Sequence, residues 1–207
     1  MKKKILILCS RVPYPLIGGD KIKVYNTAKV LSSNYKVDLL CINEGKLINE
    51  YIEKLREVFN EVTCFSYHPL RFKLNAFKGI FSEKPLQVSY YYFAEIQKWI
   101  NKRYKDYDLI FCNHVRTVKY IKNTICAKVV DLVDAISMNY ERAKKNGEVR
   151  GWWKIIYGIE SKRLLHYEVR TINKFNKSFI VSEVDRNYLI RHGANKERIV
   201  TIPVAVN

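Results

Sequence analysis

The sequence lacks the patterns that mark several common classes of site. Its five cysteines form no CxxC pair, and no apolar run approaches the roughly 18 residues that a membrane span requires. Neither GxGxxG nor GxxxxGK[ST] occurs, which excludes the usual dinucleotide and P-loop phosphate sites. The cysteines lie in or beside apolar runs, so we expect buried free thiols, no metal site and no disulfide framework. They are Cys9, Cys41, Cys64, Cys112 and Cys126.

Acidic residues are also scarce. The 207 residues include 20 Asp and Glu against 37 Lys and Arg, a formal net charge of +17. Such an excess predicts attraction to a polyanion, either a nucleic acid or the anionic face of a membrane. The N-terminal MKKK precedes an apolar run that ends at Ser10-Arg11 without a small-residue cleavage site. We therefore expect no signal peptide and a cytoplasmic protein.

Short apolar runs alternate with segments of helical periodicity along the chain. The runs at residues 5–9, 35–43, 61–67, 108–113, 127–133, 178–182 and 198–202 predict buried strands. Residues 134–174 predict long helices broken near Asn146-Gly147 and Gly151, whereas residues 86–92 have high strand propensity. The fold class predicted is α/β: a Rossmann-like three-layer sandwich with a mostly parallel sheet of about six to seven strands and helices on both faces.

The first strand leads through a glycine loop into a helix. Gly18 and Gly19 precede this helix, and Asp20 occupies the position expected of an N-cap. A helix N-terminus offers unpaired N–H groups, and glycines let a phosphate approach the backbone closely. The alternative is that both glycines only permit the turn.

Ligands in open α/β sheets bind at the carboxyl ends of the strands, which selects His114, Arg116 and Asp134. An imidazole titrates near neutrality and a guanidinium binds phosphate, so both can serve a reaction. The alternative role for His114 is helix capping. Asp134 could pair with Asp131 as a two-carboxylate site, but a helix N-cap is the favoured role.

Glu160 and Glu168 are separated by an interval that resembles the paired glutamates of sugar transferases. Eight residues along a helix turn about 80° past a common face and rise about 12 Å, so the two carboxylates cannot act on one atom. We interpret both as ion-pair partners of nearby Lys162, Arg163 and Arg170.

Two basic segments are rich in aromatic residues. Residues 68–84 carry Phe72, Phe77 and Phe81, and residues 142–177 carry Trp152 and Trp153 beside Lys154. Aromatic side chains among lysines suit the interface of an anionic membrane. The alternatives are a helix that packs its aromatic side chains on the core and a surface that docks a second domain.

The order of these motifs resembles the N-terminal, acceptor-side domain of a family 4 retaining glycosyltransferase with the GT-B fold of two facing Rossmann-like domains. The residues that carry the resemblance are Pro13, Pro15 and the double glycine, then YDLIFCNHVRTVKYI at 107–121, VVDLVDAIS, and the run FIVSEVDRNYLIRHGANKERIVTIPVAVN that follows Glu168. The family writes Pro-Asn-Gly-Val-Asp at the entry to its second domain, where this chain has Pro-Val-Ala-Val-Asn at residues 203–207.

The resemblance implies roles for particular residues. Gly18, Gly19 and Arg11 would face the donor diphosphate and acceptor, and His114 would lie by the reacting sugar. Arg116 and Asp134 would lie on the acceptor side, and Glu168 would help to pack the final strand. Residues 1–202 would form one domain, and 203–207 would begin the linker to a second domain that binds most of the nucleotide-sugar.

The resemblance also implies an overall function. We expect the acceptor-side half of a nucleotide-sugar-dependent transferase in cell-surface polysaccharide or glycolipid synthesis, inactive alone and without a cofactor. Its partners would be a glycan or lipid-linked acceptor, the second domain and the inner face of an anionic membrane. The alternative is a non-catalytic basic domain that binds a nucleic acid or a partner protein, although no recognised nucleic-acid motif occurs.

Overall fold

The protein, described here by a computed structural model over residues 2–203, is built on one parallel sheet. The strands run in the order β3-β2-β1-β4-β5-β6-β7, and each pairs in parallel with its neighbours. The predicted fold class is confirmed. The strands are β1 Lys4–Cys9, β2 Lys36–Glu44, β3 Glu61–Tyr67, β4 Leu109–Asn113, β5 Ala127–Val133, β6 Lys177–Ile180 and β7 Ile199–Thr201.

Helices connect the strands and cover both faces of the sheet. The α-helices are α1 Gly19–Ser32, α2 Asn49–Arg56, α3 Pro69–Ile80, α4 Leu86–Tyr90, α5 Ala94–Arg103, α6 Ile136–Lys145, α7 Trp152–Lys174 and α8 Glu183–Arg191. Two 3-10 helices lie at Tyr104–Asp106 and Val115–Ile121. Among these helices, none is both long and apolar enough to cross a membrane.

The two faces of β1 explain why its sequence is continuously apolar. Leu6 and Leu8 belong to one buried cluster, whereas Ile5 and Ile7 belong to another on the opposite face. Successive side chains of a strand point to opposite faces, so in a strand covered on both sides neither face is open to solvent. Helices α1 and α2 cover one face, and α5, α7 and α8 contribute to the other.

Several local predictions differ from the structure. Residues 86–92 have strand propensity, yet Leu86–Tyr90 forms α4, whose N-cap residue is Pro85. Helix α4 packs on α3 through Gly79, where a Cβ would lie 2.6 Å from Ser89 Cβ. Tertiary packing therefore overrides the propensity. The helix predicted after His114 is the 3-10 helix Val115–Ile121.

The predicted free thiols and the predicted linker have different outcomes. The five cysteines are free, and Cys9, Cys41 and Cys112 are buried whereas Cys64 and Cys126 are partly exposed. Of the predicted linker at 203–207, residues 204–207 lie outside the described part of the chain.

Candidate functional site

The strand order reverses between β1 and β4, because the chain adds β2 and β3 on one side of β1 and the remaining strands on the other. Connections leave such a pair of strands in opposite directions, which opens a crevice at their carboxyl ends. Residues 10–19 follow β1, and His114 follows β4. The loop and the imidazole selected from the sequence therefore meet at this crevice.

The double glycine forms the sharp bend that leads into α1. Gly18 has φ 97°, a conformation that side chains disfavour, and a Cβ there would lie 3.2 Å from Asp20 Oδ1. Gly19 begins α1, and a Cβ on it would meet nothing within 4 Å. Both glycines are exposed. The bend thus presents open backbone at the positive end of a helix.

Asp20 is not the N-cap of α1 that the sequence predicts. The cap position is Gly18, and no side chain caps the helix. Asp20 lies in the first turn, where its Oδ2 accepts a hydrogen bond of 2.6 Å from Arg11. The same oxygen lies 3.8 Å from His114 Nε2. The His114 imidazole, then the Arg11 guanidinium, hold the pKa of Asp20 well below its usual range, so it remains a carboxylate.

His114 has an unusual backbone conformation. Its φ is 67° and its ψ 150°, and its N–H donates a 2.8 Å hydrogen bond to the carbonyl of Asp131. Non-glycine residues with positive φ are uncommon and concentrate at functional sites. His114 is 7% exposed, and its Nδ1 is buried without a hydrogen-bond partner among residues 2–203. It does not cap the following helix with its side chain.

A buried ion pair ties α1 to β5 beside His114. Lys23 Nζ lies 2.7 Å from Asp131 Oδ2, and both side chains are at least nine-tenths buried. Asp131 Oδ1 also accepts a 3.0 Å hydrogen bond from the N–H of Val133, which itself has φ 68°. Asp131 therefore connects the start of α1, the end of β5 and, through its carbonyl, His114.

Asp134 and Arg116 lie at the border of the crevice. The N-cap of α6 is Ala135, so the N-cap role predicted for Asp134 is wrong. Asp134 Oδ2 instead accepts a 2.5 Å hydrogen bond from Asn139, and burial raises the pKa of its carboxyl. Arg116 Nε donates to Gln87 Oε1 at 2.9 Å, with its guanidinium 5.4 Å from the Tyr91 ring centroid.

A cavity of about 250 Å³ opens at the carboxyl ends of β1 and β2. Its walls combine aromatic rings, charges and an amide, which are groups that can bind the faces and hydroxyls of a sugar. The Tyr14 and Tyr51 rings lie 5.3 Å apart there, and Glu44 accepts a 2.8 Å hydrogen bond from Tyr90. The lining includes Arg11, Tyr14, Lys21, Asn43, Glu44 and Tyr91.

The two glutamates of α7 have separate structural roles. Glu160 Oε1 pairs with Arg163 at 3.1 Å, as predicted, and its Oε2 accepts a 2.7 Å hydrogen bond from the N–H of Leu86. Glu168 forms no ion pair within residues 2–203, so that prediction is wrong. It accepts a 2.5 Å hydrogen bond from the Ser137 hydroxyl at the start of α6, and burial raises its pKa to about 8.

The aromatic residues singled out for a membrane interface divide into two groups. Phe72 is fully buried against Tyr90, Tyr91 and Phe93, so its assignment to the interface is wrong. Its place on the inner face of α3 makes it a core residue. The others are exposed by 61% at Phe77 and Trp153, 71% at Trp152 and 83% at Phe81. Lys154 is exposed as well.

The described residues contain no group of three or more His, Cys, Asp or Glu side chains placed to hold a metal ion. No protein-family model and no curated protein sequence matches the chain.

Solved structures share the architecture. Anabaena HepE in complex with UDP-glucose is similar over 99% of this chain and 44% of its own, with TM-score 0.56 and 18% identity. Phytolacca americana UGT2, complexed with UDP-2-fluoro-glucose and pterostilbene, is similar over 99% of this chain and 54% of its own, with TM-score 0.52 and 9% identity. S. aureus MnaA with UDP is similar over 96% of this chain and 44% of its own, with TM-score 0.51 and 7% identity.

The chain has the fold of one Rossmann-like half of a GT-B glycosyltransferase-like architecture. It spans about half the length of these solved structures. At such identities the likeness shows the fold alone. The crevice between β1 and β4 lies at the topological switch point of that fold.

The sequence revealed neither the cavity lined by Tyr14, Asn43, Glu44 and Tyr51 nor the roles of Asp20 and Lys23. A weak signal was present, because residues three apart on a helix share a face and these two follow the glycine bend directly. Their partners Arg11, His114 and Asp131 become evident only when β1, β4 and β5 are placed side by side.

Proposed function

We propose that residues 1–202 form the acceptor-side half of a nucleotide-sugar-dependent glycosyltransferase. The observation that carries the proposal is the meeting of the Gly18-Gly19 bend with His114 and Asp20 at the switch point. The GT-B glycosyltransferase-like fold supports it, and so do the complexes of its structural neighbours with UDP and UDP-glucose. The proposed second domain, entered through residues 203–207, holds most of the donor.

Each residue of the crevice has a part in this proposal. The exposed backbone of Gly18 and Gly19 faces the donor diphosphate, with Arg11 as its cationic neighbour. His114 is the catalytic residue beside the reacting sugar, since its unpartnered Nδ1 retains hydrogen-bonding capacity. Asp20, held ionised, positions the other ring nitrogen.

The cavity at β1 and β2 is proposed to receive the acceptor. Its tyrosines supply rings on which a sugar stacks, and Glu44 and Asn43 supply polar groups at its rim. Arg116 and Asp134 border the same crevice and are the proposed acceptor-side charges. No cofactor takes part, because the nucleotide-sugar is a substrate.

The finer assignment rests on the resemblance of the sequence to family 4 transferases. It comprises a retaining mechanism and a role in cell-surface polysaccharide or glycolipid synthesis. The protein is proposed to be cytoplasmic and peripheral to the inner face of the membrane. The exposed Phe77, Phe81, Trp152 and Trp153, together with Lys154, support contact with anionic lipid.

The transferase proposal is tested by the release of UDP from a panel of UDP-sugars. The isolated chain is expected to show no turnover, whereas the chain joined to a donor-binding second domain is expected to be active. In the joined protein, His114→Ala should lower the rate by roughly 100-fold. His192→Ala removes an exposed imidazole at the C-cap of α8 and serves as the control. Turnover by the isolated chain, or equal rates for both variants, would contradict the proposal.

Membrane contact is tested by cosedimentation with anionic and neutral vesicles. Phe77→Ser with Phe81→Ser, or Trp152→Ser with Trp153→Ser, should reduce binding to anionic vesicles. As the control, Ile125→Ser removes an even more exposed apolar residue, 91% accessible, outside both helices. If both double variants bind anionic vesicles as the wild type does, the proposed contact with the membrane is wrong.

A second candidate is favoured by the net charge of +17 alone. In this alternative the chain is a non-catalytic basic domain for a nucleic acid or a partner protein. A salt-dependent mobility shift with single-stranded RNA, together with the absence of binding to lipid vesicles, would favour it.

A further inference from the structure

Three neighbouring cavities share their walls on the helical surface of the protein. Their volumes are about 180, 350 and 610 Å³. Lys84, in the turn between α3 and α4, lines all three. Lys119 lines the first and third, and Lys122 the second and third. We call this continuous depression the basic groove, defined by Lys84, Lys119, Lys122, Arg163, Arg170 and Lys174.

The basic groove opens toward the amino ends of the strands. Its wall includes Tyr104, which precedes β4, Thr124, which precedes β5, and Phe175, which precedes β6. The candidate reaction site lies at the carboxyl ends of β1, β2 and β4. In a parallel sheet, all amino ends of the strands lie at one end of the sheet and all carboxyl ends at the other. The groove is therefore separate from the candidate reaction site.

The cations of the groove are almost without counter-ions. Arg163 pairs with Glu160 at 3.1 Å, whereas the other five form no ion pair within residues 2–203. Glu83 is the one carboxylate in the walls of the three cavities. A concave surface lined by one sign of charge concentrates the potential that attracts an ion of the other sign.

The cations also repel one another. The pKa of Lys122 is lowered, with Arg170 as the largest cause followed by burial, Lys174 and Lys84. Burial first, and Lys84 second, lower the pKa of Lys119 to about 8. The Lys119 ammonium lies over the Tyr92 ring, 3.0 Å from its centroid. A bound anion would relieve this repulsion.

The spacing along α7 indicates the length of the ligand. Arg163, Arg170 and Lys174 follow one another at intervals of seven and four residues, which places them on one face of the helix. Eleven residues of helix rise about 16 Å, which is longer than one phosphate group. One guanidinium group can donate two parallel hydrogen bonds to a phosphate, and an ammonium group donates further hydrogen bonds.

We propose that the basic groove binds a ligand that carries two or more phosphate groups. A soluble polyphosphate supplies this chemistry in one molecule, and the headgroups of adjacent phospholipids in a membrane supply it together. The proposal is independent of the transferase assignment, since no groove residue belongs to the carboxyl-edge site.

The test compares two sources of phosphate on the 207-residue chain. One arm measures the affinity for inorganic tripolyphosphate by titration calorimetry, and the other measures cosedimentation with phosphatidylglycerol vesicles. The groove variant is Lys122→Glu with Arg170→Glu. The control, Lys29→Glu with Lys196→Glu, changes the net charge equally at exposed positions outside the groove. Circular dichroism and thermal unfolding verify that both variants fold.

In at least one arm, the groove variant is expected to lose tenfold or more in affinity, and the control less than twofold. The arm that responds identifies the source. In the tripolyphosphate arm, binding at pH 8 should also take up a proton, because the anion raises the pKa of Lys119. Calorimetry in two buffers of different ionisation enthalpy measures that uptake. Equal losses in both variants, or no binding in either arm, would overturn the proposal without bearing on sugar transfer.

Discussion

Cations at the two edges of the sheet are held in opposite ways. At the carboxyl edge, Lys23 pairs with Asp131 at 2.7 Å and Arg11 with Asp20 at 2.6 Å. In the basic groove, Lys122 and Arg170 have no ion-pair partner within the described chain, and their mutual repulsion lowers the pKa of Lys122. The charges of Lys23 and Arg11 are compensated by carboxylates of the protein, whereas those of Lys122 and Arg170 are left for a ligand.

The difference shows how a basic protein can separate positioning from binding. A buried pair such as Lys23 and Asp131 requires accurate geometry, because each charge depends on the other for compensation. It therefore fixes α1 against β5 and, through the Asp131 carbonyl, the backbone of His114. Unpaired cations at the surface define no geometry of their own but retain their attraction for anions.

The strongest test of the paired region removes one member of the buried pair. Lys23→Met leaves Asp131 buried without its cation, and this should lower the free energy of unfolding by about 3–5 kcal/mol. Urea denaturation measures the change. Arg56→Met breaks the exposed pair with Glu53 and should cost less than about 1 kcal/mol. If the two variants lose the same stability, the buried pair does not hold the site together.

Glu168 contrasts with Asp20, because burial raises the pKa of Glu168 whereas His114 and Arg11 lower the pKa of Asp20. The folded-state pKa of Glu168 is raised from 4.5 to about 8 by burial, so the folded protein retains a proton that the unfolded chain releases. Stability is then highest below about pH 4.5 as far as this group is concerned, and it falls as the pH rises to about 8.

Glu168→Gln should remove this loss, which we expect to be roughly 2–4 kcal/mol in wild type. Urea denaturation at pH 5 and pH 8 compares wild type with the variant. A wild-type stability that does not fall relative to that of Glu168→Gln over this interval would show that Glu168 is ionised in the folded protein.

The glycine bend allows a matched pair of substitutions. Gly18→Ala introduces a side chain at φ 97° and should lower the free energy of unfolding by about 1–2 kcal/mol. A Cβ on Gly19 meets no other atom within 4 Å, so Gly19→Ala should change stability by less than about 0.5 kcal/mol. Thermal unfolding of the two variants measures the contrast. Equal effects would mean that the bend does not require the positive φ of Gly18.

The smallest expected effect is in the basic groove. Lys122→Gln removes one cation from beside Arg170, Lys174 and Lys84, so stability should rise by a few tenths of a kcal/mol at low salt. The gain should disappear in about 1 M salt, where exposed charges are screened. Lys29→Gln, at an exposed position outside the groove, should show no gain. A loss of stability in Lys122→Gln would contradict the repulsion inferred for the groove.

The sequence predicted the sheet well and the site only in part. Continuous apolar runs such as residues 5–9 reveal strands buried on both faces, because a one-sided strand would alternate. Lys23 and Asp131 are 108 positions apart, and no local pattern reports their contact. The assignment of Phe72 to the membrane interface is wrong for a similar reason. Its neighbours on α3 are exposed, and the rings that bury it come from residues 90–93.

The central claim is that the Gly18-Gly19 bend and His114 form one sugar-nucleotide crevice. Titration of the isotope-labelled chain with UDP-glucose, followed through its backbone amide resonances, tests this claim directly at millimolar ligand. The account predicts that the Gly18, Gly19 and His114 amides shift together, with one saturation curve that is distinct from that of any shift at Lys122 and Arg170. Shifts confined to the basic groove, or none at the glycine bend, would contradict it.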